Sequence, residues 1–553
     1  MTRKLEPPST AHSERVGVLE QKPVGVPGST NGASVPPRFP APPVRTRTRW
    51  YRRMTLVKLH KWAGLISAVW LCVLGATGFL LDHKEWRWMM FSTVPERLMP
   101  ESVRSLSRTV IQLFQVNPDR PMHQVVAGVR GLWVTENGAK SWKRTRVIGD
   151  ESGRLQVFAV EPDPERGWDR LWIGTDDGLW VSEDGGKTLV KAGLQGQRIT
   201  ALTAGASTGA LYGVADRSWV FHLLTGRPDD PVWLHLERPP DDALPPEISL
   251  RRLIIDLHVG KGLFAETTSL LLNDLAGLGL CALALSGVFY WGLPKYWQRR
   301  RQQGDQVRVG TKRTTLVWLF RLHGPLIGLC AALPLLYLVI TGIFFGHFKE
   351  LGEWMRRVQV SSTFHPPIYH LNVWDGWIEA VVGYPGQPEK LSIGTRVGLF
   401  TSKDGGRTWS AERVGAERIA AARRLRRFGN ALYIGGWMGV NSYLKRQDGA
   451  DWLKLSDKHA HMAGDITRLG DGQLGWLHHG KTVAITDQFG QVHGQIELTQ
   501  PMEDGVPWYY VLRQLHDGLI FWQHWKWVND LFAVLATMLL VTGLIRWWRV
   551  KWL

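Results

Sequence analysis

The sequence predicts a membrane protein: a four-helix transmembrane bundle of two duplicated halves, with β-rich, propeller-like segments outside the bilayer. Three observations lead there. Four apolar runs are each long enough to span a membrane, histidine-bearing units around them occur twice, and a short Asp/Asn-Gly turn motif recurs in both long connecting segments.

The apolar runs lie near 60–82, 270–292, 317–346 and 528–548, each meeting the roughly 20 residues that a bilayer requires. Buried helices of a soluble protein are the alternative, and the flanks argue against it. Arg45, Arg47, Arg49, Arg52, Arg53, Lys58 and Lys61 surround the start of the first run. Lys295, Arg299, Arg300, Arg301, Arg308, Lys312 and Arg313 lie between the second and third, and Arg546, Arg549 and Lys551 close the fourth. Basic residues in short flanks on alternate sides orient a chain by the positive-inside rule. Both termini and the basic loop 293–316 are therefore expected in the cytoplasm, with the segments 84–257 and 348–515 on the outer side of the membrane. Much of the net charge of +18 then has a topological cause, and no basic folded module points to nucleic acid.

The expected layout is a disordered tail (1–48), a first membrane helix (49–83), a β-rich segment (84–257), and an interfacial stretch with the second helix (258–292). The basic loop (293–316), third helix (317–347), second β-rich segment (348–515), and an interfacial stretch with the fourth helix (516–553) follow. The tail is rich in Pro, Ser, Gly and Val without periodicity, a composition that cannot build a core. The first apolar run begins near residue 60 and is long enough to remain as a signal anchor. The three cysteines, Cys72, Cys281 and Cys330, all fall inside the runs, so the external segments have no intrachain disulfides. No Cys-x-x-Cys-His is present, which excludes the usual covalent haem attachment.

Both external segments alternate short Val/Ile/Leu/Trp/Tyr runs with Gly, Asp and Asn turns, the pattern of strands. Within them Gly131–Trp142, Gly178–Thr188 and Gly398–Trp409 repeat one motif, with a degraded relative at Gln447–Trp452. Its form, Ser-x-Asp-x-Gly-x-Thr-Trp, resembles the Asp-box of sialidases and other β-propellers. There the Asp or Asn bonds backbone amides of a hairpin turn and Gly supplies positive φ. The motif is structural and does not imply glycosidase chemistry. Two boxed hairpins per segment are compatible with one propeller-like body or with two small β domains.

The duplication is clearest around histidine. Leu59-His60 opens a run that passes Thr77-Gly78 and ends at His83; Leu322-His323 opens one that passes Thr341-Gly342 and ends at His347. Leu257-His258-x-Gly leads to Asn273-Asp274 and Ser286-Gly287; Leu515-His516-x-Gly leads to Asn529-Asp530 and Thr542-Gly543. A residue this costly in or beside a membrane span marks a site, and here it returns in both halves. On a straight helix His60 and His83 stand about 34 Å apart, at opposite faces. His60 and His323 are thus the inner-side ligand candidates, and His83, His258, His347 and His516 the outer-side set, with the pairing open. His524 has no counterpart in the first half. His459, His461, His478 and His479 lack regular metal-ligand spacing. Asn273-Asp274 and Asn529-Asp530 suit helix capping or bonds to the ligands, and the Trp residues at the margins suit interfacial anchoring.

Apolar helices presenting imidazoles from opposite sides suit a b-type haem. The set Leu-His-x3-Gly, Thr-Gly, Leu-His-x-Gly and Asn-Asp…Ser-Gly resembles the PepSY-associated transmembrane (PepSY-TM) family across all four runs. The third departs by one residue, reading His323-x4-Gly328. The resemblance implies an inner-membrane protein of bacterial iron uptake. It would hold two b haems, with iron ligands among His60, His323, His258 and His516, and act as an oxidoreductase passing electrons outward to a ferric chelate or siderophore. No dinucleotide or flavin unit is apparent, so a quinol or a separate reductase would be the donor. Two rivals stand beside this. One is a membrane-anchored periplasmic binding or assembly module without redox activity, recognising a partner. The other is a transporter of metal, haem or siderophore, for which only Pro334 breaks a span centrally.

Overall fold

Each apolar run forms a helix. In a computed structural model, the structure describes residues 47–104, 111–149, 154–205, 209–245, 247–304, 309–371, 373–414, 417–419, 421–436, 443–445, 451–455, 463–470, 472–501 and 505–552. The tail, His459, His461 and most of the degraded turn motif lie outside the described residues.

The helices that build the bundle and lead into it include α1 (Arg47–Asp82), α2 (Leu250–His258), α3 (Glu266–Gln302), α4 (Val309–Arg321), α5 (Leu329–Gly346), α6 (Trp508–Asp517) and α7 (Lys526–Trp552). Four stretches are long and apolar enough to cross a membrane: Thr55–Asp82, Thr267–Gln302, Thr311–Gly346 and Lys526–Arg549. The expected loop 293–316 is largely helical, because α3 continues through Pro294 to Gln302 and α4 begins at Val309. Arginine is a good helix former, and Arg299, Arg300 and Arg301 sit in the last turn of α3, where cations suit the helix dipole. Between α4 and α5, Leu322–Gly328 forms a wider, π-helical turn. Such a turn absorbs one inserted residue, the one that lengthens His323-x4-Gly328.

The short helices α2 and α6 precede the second and fourth spans. Ser249 caps α2 by accepting from the Arg252 amide (3.3 Å). Both helices end at a glycine with positive φ, Gly260 (65°) and Gly518 (73°). A Cβ at Gly518 would collide with the Trp525 ring. The Leu-His-x-Gly motif is therefore a helix stop that leaves the histidine in the last turn.

Between the spans the chain forms five four-stranded antiparallel sheets and one of five strands, covering 111–144, 146–193, 199–233, 378–411, 424–454 and 463–497. We number them blades 1 to 6. Apolar clusters join each to the next. Leu113 and Val125 of blade 1 meet Ile173 and Trp180 of blade 2, and Trp172 and Leu179 meet Leu211 and Phe221 of blade 3. Tyr212 and Val214 then meet Ile393 and Phe400 of blade 4, and Val382 and Leu399 meet Leu432 and Ile434 of blade 5. Tyr433 meets Ile466 and Trp476 of blade 6. Finally Leu477 and Val483 return to Phe114 and Trp133 of blade 1. The ring closes. It is a propeller arrangement, three blades from each connecting segment, and one β body rather than two.

Two small ladders lie where the chain passes between propeller and bundle. Thr93-Val94, after the first span, pairs with Val506-Pro507 before the fourth. Glu247–Ser249, before the second, pairs with Gln359–Ser361 after the third. Each ladder ties one half to the other.

The repeated turn motif joins the last two strands of blades 1, 2 and 4. In blade 4, Asp404 accepts from the Thr408 hydroxyl (2.6 Å), the Thr408 amide (2.9 Å), the Ser402 hydroxyl (2.8 Å) and the Arg407 amide (3.2 Å). Trp409 donates to the Gly406 carbonyl (3.0 Å) beneath the turn. The bonds from Thr408, then that from Ser402, hold the Asp404 carboxyl down to about 2. A carboxylate depressed by folding adds stability above its unfolded pKa, about 3.9, and loses it as pH falls through the folded value. Asp404→Asn should therefore destabilise the wild-type fold near neutrality and narrow the gap between variant and wild type from about pH 4 down to about pH 2. Thermal melts across that window check this; a gap independent of pH contradicts it.

Candidate functional site

The structure brings four of the six histidines together as two facing pairs. The His60 and His323 ring centroids are 6.2 Å apart with planes at 88°. Those of His258 and His516 are 6.5 Å apart at 54°. His60 lies on α1 and His323 in the π-helical turn, at the end of the bundle away from the propeller. His258 and His516 end α2 and α6 and turn inward at the propeller end.

Each ring meets a hydroxyl from a span of the other half. His60 Nδ1 lies 2.8 Å from Thr542 Oγ1, and His516 Nδ1 2.8 Å from Thr77 Oγ1. His323 Nδ1 lies 2.9 Å from Ser286 Oγ, and His258 Nδ1 3.2 Å from Thr341 Oγ1. A hydroxyl has one hydrogen, and each of these gives it to a carbonyl in the preceding turn: Met538 (2.7 Å), Val73 (2.6 Å), Leu283 (3.2 Å) and Tyr337 (2.8 Å). The oxygen must then accept from the imidazole, so Nδ1 carries the proton and Nε2 keeps its lone pair. This is the metal-binding tautomer, fixed by a neighbour.

The glycine after each hydroxyl faces the same ring. A Cβ would stand 3.5 Å from His516 Cε1 at Gly78, 3.3 Å from His323 at Gly287, 3.3 Å from His258 at Gly342 and 3.5 Å from His60 at Gly543. Hydroxyl and glycine thus form one receptor for an imidazole edge, used four times. The recurring Thr/Ser-Gly was visible in the sequence as a repeat; its role as the histidine partner was not. Other glycines serve helix packing: a Cβ at Gly75 would meet the Gly277 carbonyl.

Burial, then the charge of His516, holds His258 down to about 3, and burial also lowers His516. Both are neutral at neutral pH, the form that ligates metal. Both rings are half-buried. Among the described residues no three His, Cys, Asp or Glu side chains gather as ligands for a bare ion. Each pair offers two nitrogens and no carboxylate.

His83 and His347 take a different place. His83 Nε2 bonds Asp274 (3.1 Å), its Nδ1 lies 3.3 Å from Glu85, and its ring stacks on Trp86 at 4.6 Å. His347 Nε2 bonds Asp530 (2.8 Å), with Trp527 at 4.9 Å. The paired asparagines do not cap their own helices. Asn273 donates to the His258 carbonyl (3.2 Å), and Asn529 to those of His516 and Asp517 (3.3 Å each). They close the exposed ends of α2 and α6 and so position the two histidines. Asp256, buried on α2, accepts from Arg252 and from the Tyr369 hydroxyl (2.6 Å), while Arg252 also donates to the Arg396 carbonyl (2.8 Å). That anchors α2 to blade 4. His365 bonds the Val360 carbonyl (2.9 Å), and His493 faces Asp487 at 3.6 Å.

Comparison with known families matches the chain to the PepSY-associated TM region over residues 57–549. The chain belongs to that family. This PepSY-TM chain is a multi-pass membrane protein with four candidate spans. No curated protein matches it. Among solved structures it is similar to an ancestral GH74 enzyme, at 11% identity and a TM-score of 0.31, over 73% of this chain and 40% of that one. It is also similar to YCF48 bound to a D1 peptide, at 12% identity and a TM-score of 0.20, over 72% and 73%. The chain thus spans two fifths of the length of the GH74 enzyme. Similarity at these scores says nothing of activity.

Proposed function

We propose that this PepSY-TM protein binds two b-type haems, one at each histidine pair, and carries electrons across the bacterial inner membrane to a periplasmic acceptor, a ferric chelate. The observation that supports it most is the fourfold hydroxyl contact that leaves Nε2 of His60, His323, His258 and His516 free. The spacing fits as well. With metal–nitrogen bonds of about 2 Å, two imidazoles on one metal ion stand about 6 Å apart at their centroids, close to both observed separations. A haem at each pair would supply one-electron chemistry, its potential set by burial and by the bonds to its ligands.

The chain's own residues do the rest. Thr542, Ser286, Thr341 and Thr77 hold the tautomers, the facing glycines leave space at the ring edges, and the apolar spans exclude water. On α1, His60 and Thr77 mark the two sites about 25 Å apart along the helix axis, so the pair of sites covers most of a bilayer core of about 30 Å. The basic flanks support a cytoplasmic His60 end and a periplasmic propeller. Electrons would enter from a quinol or a separate reductase.

A dithionite-reduced minus oxidised spectrum of the detergent-purified protein, with pyridine haemochrome quantification, tests the reading. About two b haems per chain are expected. A colourless protein from haem-replete cells overturns it.

A further inference from the structure

Two histidines outside the bundle form a third imidazole pair. The His365 and His370 ring centroids are 5.9 Å apart with planes at 33°, close to the 6.2 Å and 6.5 Å of the pairs within the bundle. Both lie shortly after the Gln359–Ser361 ladder, where the chain leaves the third span for the propeller.

The chain between them is held from several sides. Pro366 and Pro367 fix two successive φ angles, and the helical turn Ile368–Leu371 carries His370 back toward His365. The amides of Tyr369 and His370 donate to the carbonyls of Pro366 (3.1 Å) and Pro367 (2.9 Å), and that of Ile368 to Leu263 (3.2 Å). Tyr369 is buried, with its ring against Trp377 at 5.2 Å and its hydroxyl donating to Asp256 (2.6 Å). The two imidazoles are thus brought together before anything binds, which lowers the entropic cost of using both.

His365 is bonded as metal ligands are. Its Nε2 donates to the Val360 carbonyl (2.9 Å). In a neutral imidazole Nδ1 then keeps its lone pair, and a carbonyl on the far nitrogen is a common support for a ligating histidine. Burial lowers the His365 pKa, and the charge of His370 lowers it further against the Val360 bond, which favours the neutral form that binds metal. His370 is exposed, so the pair opens to solvent. A purely structural role explains the bond to Val360 but not a second imidazole set against the first.

We propose that His365 and His370 bind one divalent transition-metal ion of borderline softness, through Nδ1 of His365 and a ring nitrogen of His370. With metal–nitrogen bonds of about 2 Å, two imidazoles on one ion stand about 6 Å apart at their centroids. Among the described residues no third His, Cys, Asp or Glu joins them, so water completes the coordination. Such a ligand set takes Cu(II) most tightly and Zn(II) less so. The site needs neither histidine pair of the bundle.

The test is calorimetric titration of the untagged full chain, in neutral detergent, with zinc sulfate, and electron paramagnetic resonance at one equivalent of Cu(II). One saturable Zn(II) site per chain is expected, with a Cu(II) signal split by two nitrogens. His370→Ala, an exposed substitution, should weaken zinc binding at least about tenfold and leave the melting temperature of the metal-free protein unchanged. His365→Ala should weaken it similarly, and His493→Ala, whose ring faces Asp487 at 3.6 Å, should not. Absence of a saturable zinc site, or zinc binding unaltered in His370→Ala, overturns the proposal. The titration should give the same result in the His60→Ala, His516→Ala variant, so failure of the haem reading leaves this site standing, and failure here leaves the haem reading untouched.

Discussion

If each histidine pair holds one haem, replacing either His60 or His323 with alanine should lower the haem content by one per chain, and replacing both should lower it no further. His258→Ala and His516→Ala should behave the same way at the other site. One substitution from each pair, as in His60→Ala with His516→Ala, should leave almost none. These expectations come from the paired rings at 6.2 Å and 6.5 Å and from two histidine nitrogens that would together hold one haem. His83→Ala is the control: its ring is bonded to Asp274 and stacked on Trp86, so both haems should remain. Thr542→Val removes the acceptor of the His60 Nδ1 proton without removing a ligand. Loss of such a partner typically costs about 10- to 100-fold in metal affinity, so haem retention should become sensitive to dilution at that site only. Pyridine haemochrome assays of the series decide. A His60→Ala, His323→Ala double variant that loses both haems would refute the pairing.

The second large effect is expected far from the membrane. Inside the propeller Arg426 of blade 5 reaches Glu161 of blade 2 (2.5 Å) and Asp465 of blade 6 (3.3 Å). Asp465 also accepts from Gln115 of blade 1 (2.6 Å), and Glu161 from the Ala204 amide of blade 3 (3.0 Å). One guanidinium therefore joins five blades across the ring. Arg426→Ala leaves two buried carboxylates without their cation, a loss of about 3–5 kcal/mol when a buried pair is broken. By contrast Arg120→Ala, which breaks an exposed pair with Asp169 (3.1 Å), should cost under about 1 kcal/mol. Tryptophan-fluorescence melts and protease resistance of the full chain compare the two. Equal effects would mean that the axial network adds no more than a surface pair.

What could be read from the sequence follows from how each signal is encoded. Spans and their histidines are local: a long apolar run shows its polar interruptions directly, and the matching spacings of the two halves multiply the signal. The one-residue excess in His323-x4-Gly328 was also local, and the π-helical turn is its structural form. Partners were hidden because they are distant. His60 and Thr542 are separated by 482 positions, and nothing in one stretch names the other. Ring closure was hidden for a related reason. The turn motif marks blades 1, 2 and 4, whereas blades 3 and 6 present only alternating strands, so the count of six rests on contacts between sheets. The basic residues of the loop 293–316 predict its cytoplasmic side, not its helical ends, although arginine is content in a helix.

The crossed bonding of the two halves has a consequence for how the sites change. Each of the four paired histidines is held by a hydroxyl of the other half, as in a symmetric dimer whose subunits have been joined. In such a dimer one codon specifies both copies of a contact, and any substitution strikes twice. Joined in one chain, the copies are free to drift separately. They have done so: serine stands at 286 where threonine stands at 542, one half carries the π-helical turn, and α2 holds the buried Arg252–Asp256–Tyr369 anchor. Two sites built from one plan can thus be given unequal surroundings, which a strictly symmetric assembly cannot achieve.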